Sequence, residues 1–291
     1  MPHPTLRDWL SIMALGLIWG ATFMVIAFAL RGYGPVTVAT ARTTLGAVTL
    51  WIAVLALRRP LPRWSGRLGA HIVVIGLTST ALPFFLLSWG QQSVPSAFAG
   101  LSMAAGPLFV LPLAHAFVPG ERLSWRKASG FSLGFLGVLV LMAPEALAGG
   151  PAALPRLACL CAALCYAVSS ITTRRCPPVD PVPLAAFALL VGAAALIPAM
   201  LLSEGLPKTA GAVPMAAIVI LGLVPTALAT LIRVQVIRSA GPSFMTLTSY
   251  QVPLWSFFFG ALVLDEALSP RFFAALGLIL SGLVLSRKRT S

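Results

Sequence analysis

The sequence repeats itself with a shift of 146 residues. The clearest copy is an apolar stretch with a central proline and a charged turn after it. Five of its residues recur 146 positions later: Ser93, Phe98, Leu101, Pro107 and Leu108 match Ser239, Phe244, Leu247, Pro253 and Leu254. One residue fewer in the loop then brings Glu121 onto Glu266 and Arg126 onto Arg271. The chain therefore consists of two related halves.

Apolar runs of about 20 residues fill almost the whole chain, and a helix of that length crosses the roughly 30 Å hydrocarbon core of a bilayer. Only 9% of the residues are charged and 58% are hydrophobic, which a soluble globular protein does not tolerate. The sequence predicts an all-α integral membrane protein. Its ten predicted transmembrane helices lie near residues 8–30, 35–57, 68–90, 95–118, 125–143, 153–173, 182–202, 213–237, 242–264 and 271–286.

The repeat and the helices together predict two five-helix units, residues 1–146 and residues 147–291. Because five is odd, the second unit enters the membrane from the opposite side, so the units form an inverted repeat about an axis in the membrane plane. Inverted repeats suit alternating access around one central site. This favours a carrier, and a passive channel remains the alternative.

The basic residues are distributed unevenly between the two sides of this arrangement. The chain has 20 Lys and Arg against 7 Asp and Glu, a formal net charge of +13. Fourteen of the basic residues fall at the termini and in alternate connections, whereas the opposite side has Arg31, Arg156, Lys208 and Arg271. Loops rich in Lys and Arg stay in the cytoplasm. We therefore expect both termini to be cytoplasmic, and we assign the charge to topology rather than to nucleic-acid binding.

The interiors of the predicted helices contain no Asp or Glu. Carriers coupled to protons or sodium commonly hold ionisable groups inside the membrane. This favours a uniporter that follows the substrate gradient, unless another group provides the coupling. His115 is the inner candidate for such a group, although a packed neutral histidine is favoured there.

Two cations, Arg42 and Arg233, fall inside predicted helices, where burying each costs about 2.5 kcal/mol or more. Two roles are open for Arg42. It attracts a carboxylate, or it extends to the helix end and bonds carbonyl groups there, and the structural role is favoured. Arg233 lies one turn from the cytoplasmic end of its helix, where its side chain is expected to extend to the interface.

Hydroxyl and aromatic side chains are concentrated on predicted helices one, three, four, six, eight and nine. Groups of this kind suit a net-neutral ligand, because hydroxyls and carbonyls bind its polar atoms while aromatic rings contact its side chain. Some of them are expected to be ordinary helix contacts. The predicted substrate-binding residues are Trp19, Thr22, Phe23, Ser79, Thr80, Phe84, Ser102, Met103, Tyr166, Ser169, Thr226, Thr230, Thr246, Ser249 and Tyr250.

Proline and glycine distinguish two kinds of predicted helix. Helices three, four, eight and nine are expected to be kinked, because proline removes a backbone donor and frees a carbonyl one turn earlier, at Pro83, Pro107, Pro112, Pro225 and Pro253. Helices five and ten are expected to form scaffold or dimer contacts, because small residues recur at helical spacing, namely Gly130, Gly134, Gly137, Gly277, Ser281 and Gly282.

The residues that metal sites and enzymes need are not grouped in this sequence. Cys159, Cys161 and Cys165 lie within the sixth helix and Cys176 just beyond it, with no neighbouring His or carboxylate at ligand spacing. The cysteines are therefore expected to pack. The three His are scattered and the helix interiors lack acids, so we predict no enzyme, no metal site and no cofactor.

Several motifs together point to a known family. They are Trp19-Gly20, Arg42 in ATARTTLGA, Pro107, Gly120-Glu121-Arg122 and the second-half Pro253 and Glu266. Over essentially its whole length the chain resembles the EamA-type carriers of the drug/metabolite transporter superfamily, and within it the aromatic amino acid exporter branch. The chain departs from the pattern at Asp265-Glu266, where Gly-Glu is usual, and at Ala188, the repeat position of Arg42.

The resemblance implies a ten-helix carrier that exports small metabolites from the bacterial cytoplasm. Residues and resemblance together predict an inner-membrane transporter that exports amino acids or similar small neutral metabolites by alternating access, as a uniporter. The alternatives are an exporter of drugs or other metabolites with the same fold and a passive channel. The predicted partners are the small-molecule substrate and the lipid bilayer, and the protein is expected to be a monomer or a homodimer.

Overall fold

The structure is a computed structural model that describes residues 4–118, 125–148, 150–240, 242–245, 247–267 and 269–286. Within these ranges the regular secondary structure is helical. The helices are α1 (Leu6–Leu30), α2 (Pro35–Ala56), α3 (Gly66–Gly76), π1 (Leu77–Ala81), α4 (Leu82–Gly90), α5 (Ser96–Met103), α6 (Gly106–Phe117), α7 (Trp125–Ala148), α8 (Ala153–Arg175), α9 (Pro181–Ser203), α10 (Ala212–Leu221), π2 (Gly222–Leu228), α11 (Ala229–Ala240), α12 (Pro242–Met245), α13 (Thr248–Val263) and α14 (Pro270–Ser286).

Seven helical segments of the described chain are long and apolar enough to cross a membrane. They are Leu6–Leu30, Pro35–Ala56, Gly66–Gly90, Ser96–Phe117, Ala153–Arg175, Pro181–Ser203 and Ala212–Val236. Three shorter apolar helices, at Ala128–Leu141, Tyr250–Val263 and Pro270–Gly282, overlap the fifth, ninth and tenth predicted helices. The described part is thus an all-helical integral membrane protein, as the composition predicts.

Large apolar side chains cover the outer faces of these helices. Ile52 and Leu55 on α2, Leu190 on α9 and Ile220 on α10 are exposed. Exposed apolar surface on this scale is unusual for a soluble monomer. Lipid chains solvate such surface, and the backbone groups behind it are satisfied within the helices, as a bilayer requires.

Helix interruptions occur near the prolines that the sequence singles out. The π1 turn ends two residues before Pro83, and Pro225 lies inside the π2 turn. A break between α5 and α6 precedes Pro107. Pro253 lies inside α13, so the break between α12 and α13 comes before it rather than at it. Beside Pro83, Pro107 and Pro225 the backbone ladder is thus irregular next to a residue with no N–H to donate. Pro112 and Pro253 lie within α6 and α13.

Two carboxylates of the second half bind the first turns of helices in the first half. Glu204, after α9, accepts hydrogen bonds from the backbone N–H groups of residues 36 and 37 at the start of α2, at 2.9 and 2.8 Å. Glu266, after α13, accepts them from Ser96 and Ala97 at the start of α5, at 2.6 and 3.0 Å. The first N–H groups of a helix have no partner within it, and the helix dipole favours an anion there.

The small residues of α7 and α14 form a contact within the chain. A Cβ at Gly282 would overlap the backbone of Gly130 and Gly134, and one at Gly137 would lie 2.9 Å from the Ala275 carbonyl oxygen. Such close approach between backbones is the role expected of small residues in membrane helices. These glycines therefore serve the scaffold, as one of the two sequence interpretations holds.

The remaining helices pack in pairs that cross between the two halves of the chain. α2 packs on α9, α1 on α13, α4 and α6 on α8, and α5 on α13. Glycines allow several of these contacts. Gly76 lies against Val191 of α9, and Gly222 lies against Leu45 of α2.

Candidate functional site

Arg42 is a buried cation, 5% exposed, in the interior of the bundle. It lies seven residues after Pro35, the first residue of α2, so it is about 10 Å from the start of that helix at about 1.5 Å per residue. Its Nε donates a hydrogen bond to Oγ1 of Thr226 on π2 at 3.0 Å, and its Cζ lies 3.8 Å from the ring centroid of Phe84 on α4. Neither contact is a helix-end carbonyl. The side chain thus points into the bundle, and the interpretation that it extends to the helix end is wrong.

The described residues offer Arg42 no carboxylate. Within them, the salt bridge joins Arg59 and Asp180 at 3.6 Å. Glu204 and Glu266 are bonded to backbone N–H groups at helix starts. The two terminal nitrogens of Arg42 donate no hydrogen bond to any residue in the described ranges. Hydrogen-bonding capacity and positive charge are therefore both left over at this position.

Two further aromatic residues come from other helices and lie beside the residues that contact Arg42. Tyr166 of α8 packs against two separate apolar clusters, one of which contains Phe84. Trp19 of α1 also packs against two clusters, and its Nε1 donates to the carbonyl oxygen of Pro225 at 3.3 Å. Side chains shared by two clusters lie where the clusters meet.

Phe84 and Thr226 contact Arg42, Tyr166 packs against the cluster that contains Phe84, and Trp19 bonds to the residue before Thr226. We call this group the Arg42 site and define it as Arg42, Trp19, Phe84, Tyr166 and Thr226. Its residues come from α1, α2, α4, α8 and π2, so both halves of the chain contribute. The sequence predicts the four neutral members, whereas it leaves Arg42 outside the predicted site.

Two close helix contacts flank the Arg42 site. A Cβ at Gly46 would lie 2.5 Å from the Thr226 methyl carbon, and a Cβ at Gly192 would overlap the Thr80 hydroxyl oxygen. Thr226 is 146 residues after Thr80, and Gly192 is 146 residues after Gly46. The two contacts are therefore the same contact with the halves exchanged. Each lets a π turn approach the helix that faces it.

Six hydroxyl groups of the predicted lining share one pattern of hydrogen bonding. Each donates its proton to a carbonyl oxygen of its own helix at 2.6–2.9 Å, in Thr22, Ser79, Thr80, Ser102, Thr226 and Thr230. A hydroxyl has one proton and two acceptor lone pairs. In this arrangement these groups can accept hydrogen bonds from a ligand but cannot donate them.

Other predicted lining residues lie away from Arg42. Phe23 and Ser102 are buried between α1 and α5, where a Cβ at Gly100 would lie 3.2 Å from the Phe23 ring. Met103 and Tyr250 pack against the same apolar cluster as Phe23. In this arrangement of the bundle these residues contact neighbouring helices.

The last predicted positions fall into two groups. Ser79 is half-buried and Ser169 is buried, and neither hydrogen-bonds to Arg42. Thr246 lies outside the described residues, as does the side chain of Ser249.

Gln91, at the end of α4, is a buried polar residue that the sequence interpretation passes over. Its Nε2 donates to the Phe23 carbonyl oxygen at 2.8 Å, while its Oε1 is buried without a partner. The only signal in the sequence is a Gln pair after an apolar run, which also fits a loop. His115 on α6 and Arg233 on α11 are exposed.

A recess opens beside the first turn of α2, which is the end of that helix nearer to Arg42. It has a volume of about 560 Å³ and lies between the α1–α2 and α9–α10 connections. Its lining includes Arg31, Thr37, Glu204 and Lys208. Thr37 precedes Arg42 by five residues, about 8 Å along the helix.

A polar site enclosed by apolar membrane helices is typical of membrane transport proteins. The sequence profile of the EamA-like transporter family matches the chain twice, at residues 8–143 and at residues 154–287. The chain therefore belongs to the EamA-like transporter family, as its motifs indicate.

Curated relatives with transporter names match most of the chain. It is 28% identical to the "Probable terminal-alkyne amino-acid exporter" of Streptantibioticus cattleyicolor over 97% of this chain and 93% of that protein. It is also 28% identical to the "Uncharacterized inner membrane transporter YedA" of Escherichia coli, over 94% of this chain and 89% of that protein. These names describe transporters rather than enzymes, and YedA supports placement in a bacterial inner membrane.

Two further comparisons extend this result. The "Probable amino-acid metabolite efflux pump" of Escherichia coli is 28% identical over 58% of this chain and 54% of its own length. A solved structure titled "Crystal structure of protein" superposes with a TM-score of 0.65 at 25% identity, covering 96% of both chains. A complete chain of known structure therefore shares this fold.

Proposed function

We propose that the protein exports amino acids or similar small neutral metabolites across the bacterial inner membrane by alternating access, as a uniporter. In this proposal ten membrane helices form two inverted repeats, residues 1–146 and 147–291, and both termini are cytoplasmic. The observation that carries the proposal is the pair of matched glycine–threonine contacts around the Arg42 site.

The matched contacts support alternating access because they relate the halves by an exchange. Gly192 is the repeat position of Gly46, and Thr80 is the repeat position of Thr226. The contact of Gly46 with Thr226 therefore corresponds to the contact of Gly192 with Thr80. Whole helices follow the same rule, since the contact of α1 with α13 corresponds to that of α8 with α6. Two halves packed by the same contacts can exchange roles, so that a site between them opens first to one side and then to the other.

The substrate class rests on the relatives and on the lining. Two relatives are named as an amino-acid exporter and an amino-acid metabolite efflux pump. The Arg42 site offers aromatic rings and one cation, which suits a small molecule with an apolar part and a polar end. A match of one family profile to each half supports the two-unit organisation.

Uniport is supported by the placement of the acids. Among the described residues, Asp8, Asp180, Glu204 and Glu266 are bonded at helix ends. A proton or sodium relay through the bundle interior commonly uses ionisable groups there. These four acids are placed instead at helix ends.

Counterflow in proteoliposomes tests this function. Vesicles loaded with one unlabelled amino acid at a time, from a panel of the twenty, are diluted into the labelled form, with and without an imposed pH gradient. Saturable exchange that ignores the pH gradient is expected. Exchange that follows the gradient would contradict uniport, linear uptake without exchange would indicate a channel, and no exchange with any amino acid would contradict the substrate class.

The orientation is tested separately by reporter fusions. A fluorescent protein that folds only in the cytoplasm, fused after Ser291, is expected to fluoresce, whereas a periplasmic phosphatase at the same position is expected to be inactive. The opposite result would contradict the proposed topology while leaving transport untouched.

A further inference from the structure

We infer that Arg42 binds the carboxylate of the transported substrate, and that the substrate is a monocarboxylate whose second polar group donates hydrogen bonds. An α-amino acid zwitterion fits this description. The inference rests on the proposed transport function, since it assigns the substrate's orientation within the same site.

Arg42 brings a positive charge into the interior of the bundle. A cation inside a membrane helix is costly and is normally paired or functional. The described residues supply a hydroxyl and an aromatic face but no carboxylate. A bound carboxylate would complete the pairing. A structural arginine that bonds helix-end carbonyls would have no such requirement.

Two neighbouring side chains fix the orientation of the Arg42 guanidinium. Phe84 lies 3.8 Å from Arg42 Cζ, and Thr226 accepts from Nε at 3.0 Å, so one face and one edge of the group are already occupied. The edge that carries the two terminal nitrogens remains. Two parallel N–H groups on that edge match the two oxygens of a carboxylate. Fixing the plane in advance lowers the entropy that binding would otherwise lose.

The hydroxyl groups of Thr80 and Thr230 are available to the other end of the ligand. Thr80 lies one turn before Phe84 and Thr230 one turn after Thr226, so each shares a helix face with a residue that contacts Arg42. Both hydroxyls have already donated their protons to their own helices, at 2.6 Å. They can therefore accept from an ammonium group but cannot serve a second carboxylate. The surroundings select a ligand with one acid and one donor.

The two halves of the chain differ at the repeat position of Arg42. The position 146 residues after Arg42 is Ala188, which is buried on α9. The first half thus has a cation where the second half has a methyl group. One carboxylate has one place to bind, so the ligand keeps one orientation relative to the first half through the transport cycle.

The experiment measures binding rather than transport. Purified protein in detergent is titrated with L-alanine, L-leucine and L-phenylalanine and with the amide of each, and ligand-induced thermal stabilisation gives the affinities. We expect at least one acid to bind and its amide to bind about 10-fold or more weakly, since the amide lacks the charge that pairs with Arg42. This part needs no variant, so it does not depend on a variant that folds.

Substitutions then locate the effect. Arg42→Gln is expected to weaken binding of the acid by about 10- to 100-fold and to leave the amide unchanged, and Arg42→Lys is expected to give an intermediate loss. Arg63→Gln is the control, because Arg63 is an exposed arginine in the connection between α2 and α3. It is expected to leave both ligands unchanged.

The outcomes separate this inference from the proposed function. Equal binding of acid and amide, loss of the acid in neither Arg42 variant, or no binding of any acid would overturn the inference. Exchange in proteoliposomes that Arg42→Gln leaves intact would overturn it while the transport proposal stands. Acid binding that requires Arg42, in a protein that exchanges no amino acid, would leave Arg42 as a carboxylate site but would overturn both its assignment to a transported substrate and the proposed substrate class.

Discussion

Replacing Glu266 with Gln tests whether a carboxylate of the second half holds α5 of the first half in place. Glu266 accepts hydrogen bonds from the N–H groups of Ser96 and Ala97, which are 2% and 1% exposed. The amide of glutamine keeps the shape and one acceptor oxygen, but its NH₂ group faces the second N–H.

The expected loss of stability follows from these contacts. One buried N–H left without a partner costs about 1–3 kcal/mol. Losing the negative charge at the start of a helix adds about 0.3–1 kcal/mol. Together the two effects predict a loss of about 1–4 kcal/mol, which corresponds to an apparent melting temperature lower by about 3–16 °C.

The assay is thermal unfolding in detergent, with Asp265→Asn as the matched control. Asp265 is the neighbouring residue, is exposed, and has a positive φ of 52°, which asparagine adopts readily. Asp265→Asn removes one negative charge, as Glu266→Gln does, but leaves the hydrogen bonds between Glu266 and the N–H groups of Ser96 and Ala97 in place. A Glu266→Gln protein that melts with the wild type, or together with Asp265→Asn, would refute the reasoning.

Three other predictions concern packing and the site. Gly192→Ala is expected to destabilise the protein by about 1–3 kcal/mol through overlap with Thr80, and Thr80→Ala in the same protein is expected to recover part of that loss in thermal unfolding. Thr226→Val removes the acceptor for Arg42 Nε and is expected to raise the half-saturating substrate concentration in counterflow several-fold. Trp19→Ala is expected to reduce transport while the protein still folds, and so is Tyr166→Ala, measured by counterflow beside size-exclusion profiles.

Controls come from positions of similar type. Gly277→Ala meets no atom within 4 Å, so it is expected to keep or raise the melting temperature, and equal losses at both glycines would contradict the overlap argument. Thr172→Val loses a hydrogen bond of the same kind, from the Thr172 hydroxyl to the Val168 carbonyl oxygen within α8, and is expected to affect counterflow less than Thr226→Val. Normal transport by both aromatic variants would contradict the assigned lining.

Hydropathy alone was enough to predict an all-helical membrane protein, because lipid permits few alternatives to a helix for an apolar segment. Of the ten predicted helices, seven correspond to described helical segments long and apolar enough to cross a membrane. The 146-residue repeat also identified Gly46 with Gly192 and Thr80 with Thr226. It did not reveal that each glycine touches the threonine of the other half. That contact depends on how the halves pack, which no local pattern specifies.

The role of Arg42 shows a second limit. Sequence gives the depth of a residue along a helix but not the direction that its long side chain takes. The direction depends on π2, which approaches α2 beside Gly46 and presents Thr226 to Arg42. The prolines predicted irregular helices near both π turns, but the extra residue in the turn is not readable from proline alone.

The π turns have a consequence for how the lining can change. A π turn contains an extra residue relative to an α turn, so converting it to α-helix would rotate the following segment by about 100° relative to the preceding one. Phe84 follows π1 and Thr230 follows π2. One register step in either turn would therefore present different side chains to Arg42 while leaving the outer ends of α2 and α5 held by Glu204 and Glu266. The helices need not tilt as rigid rods for the chemistry at their centre to change.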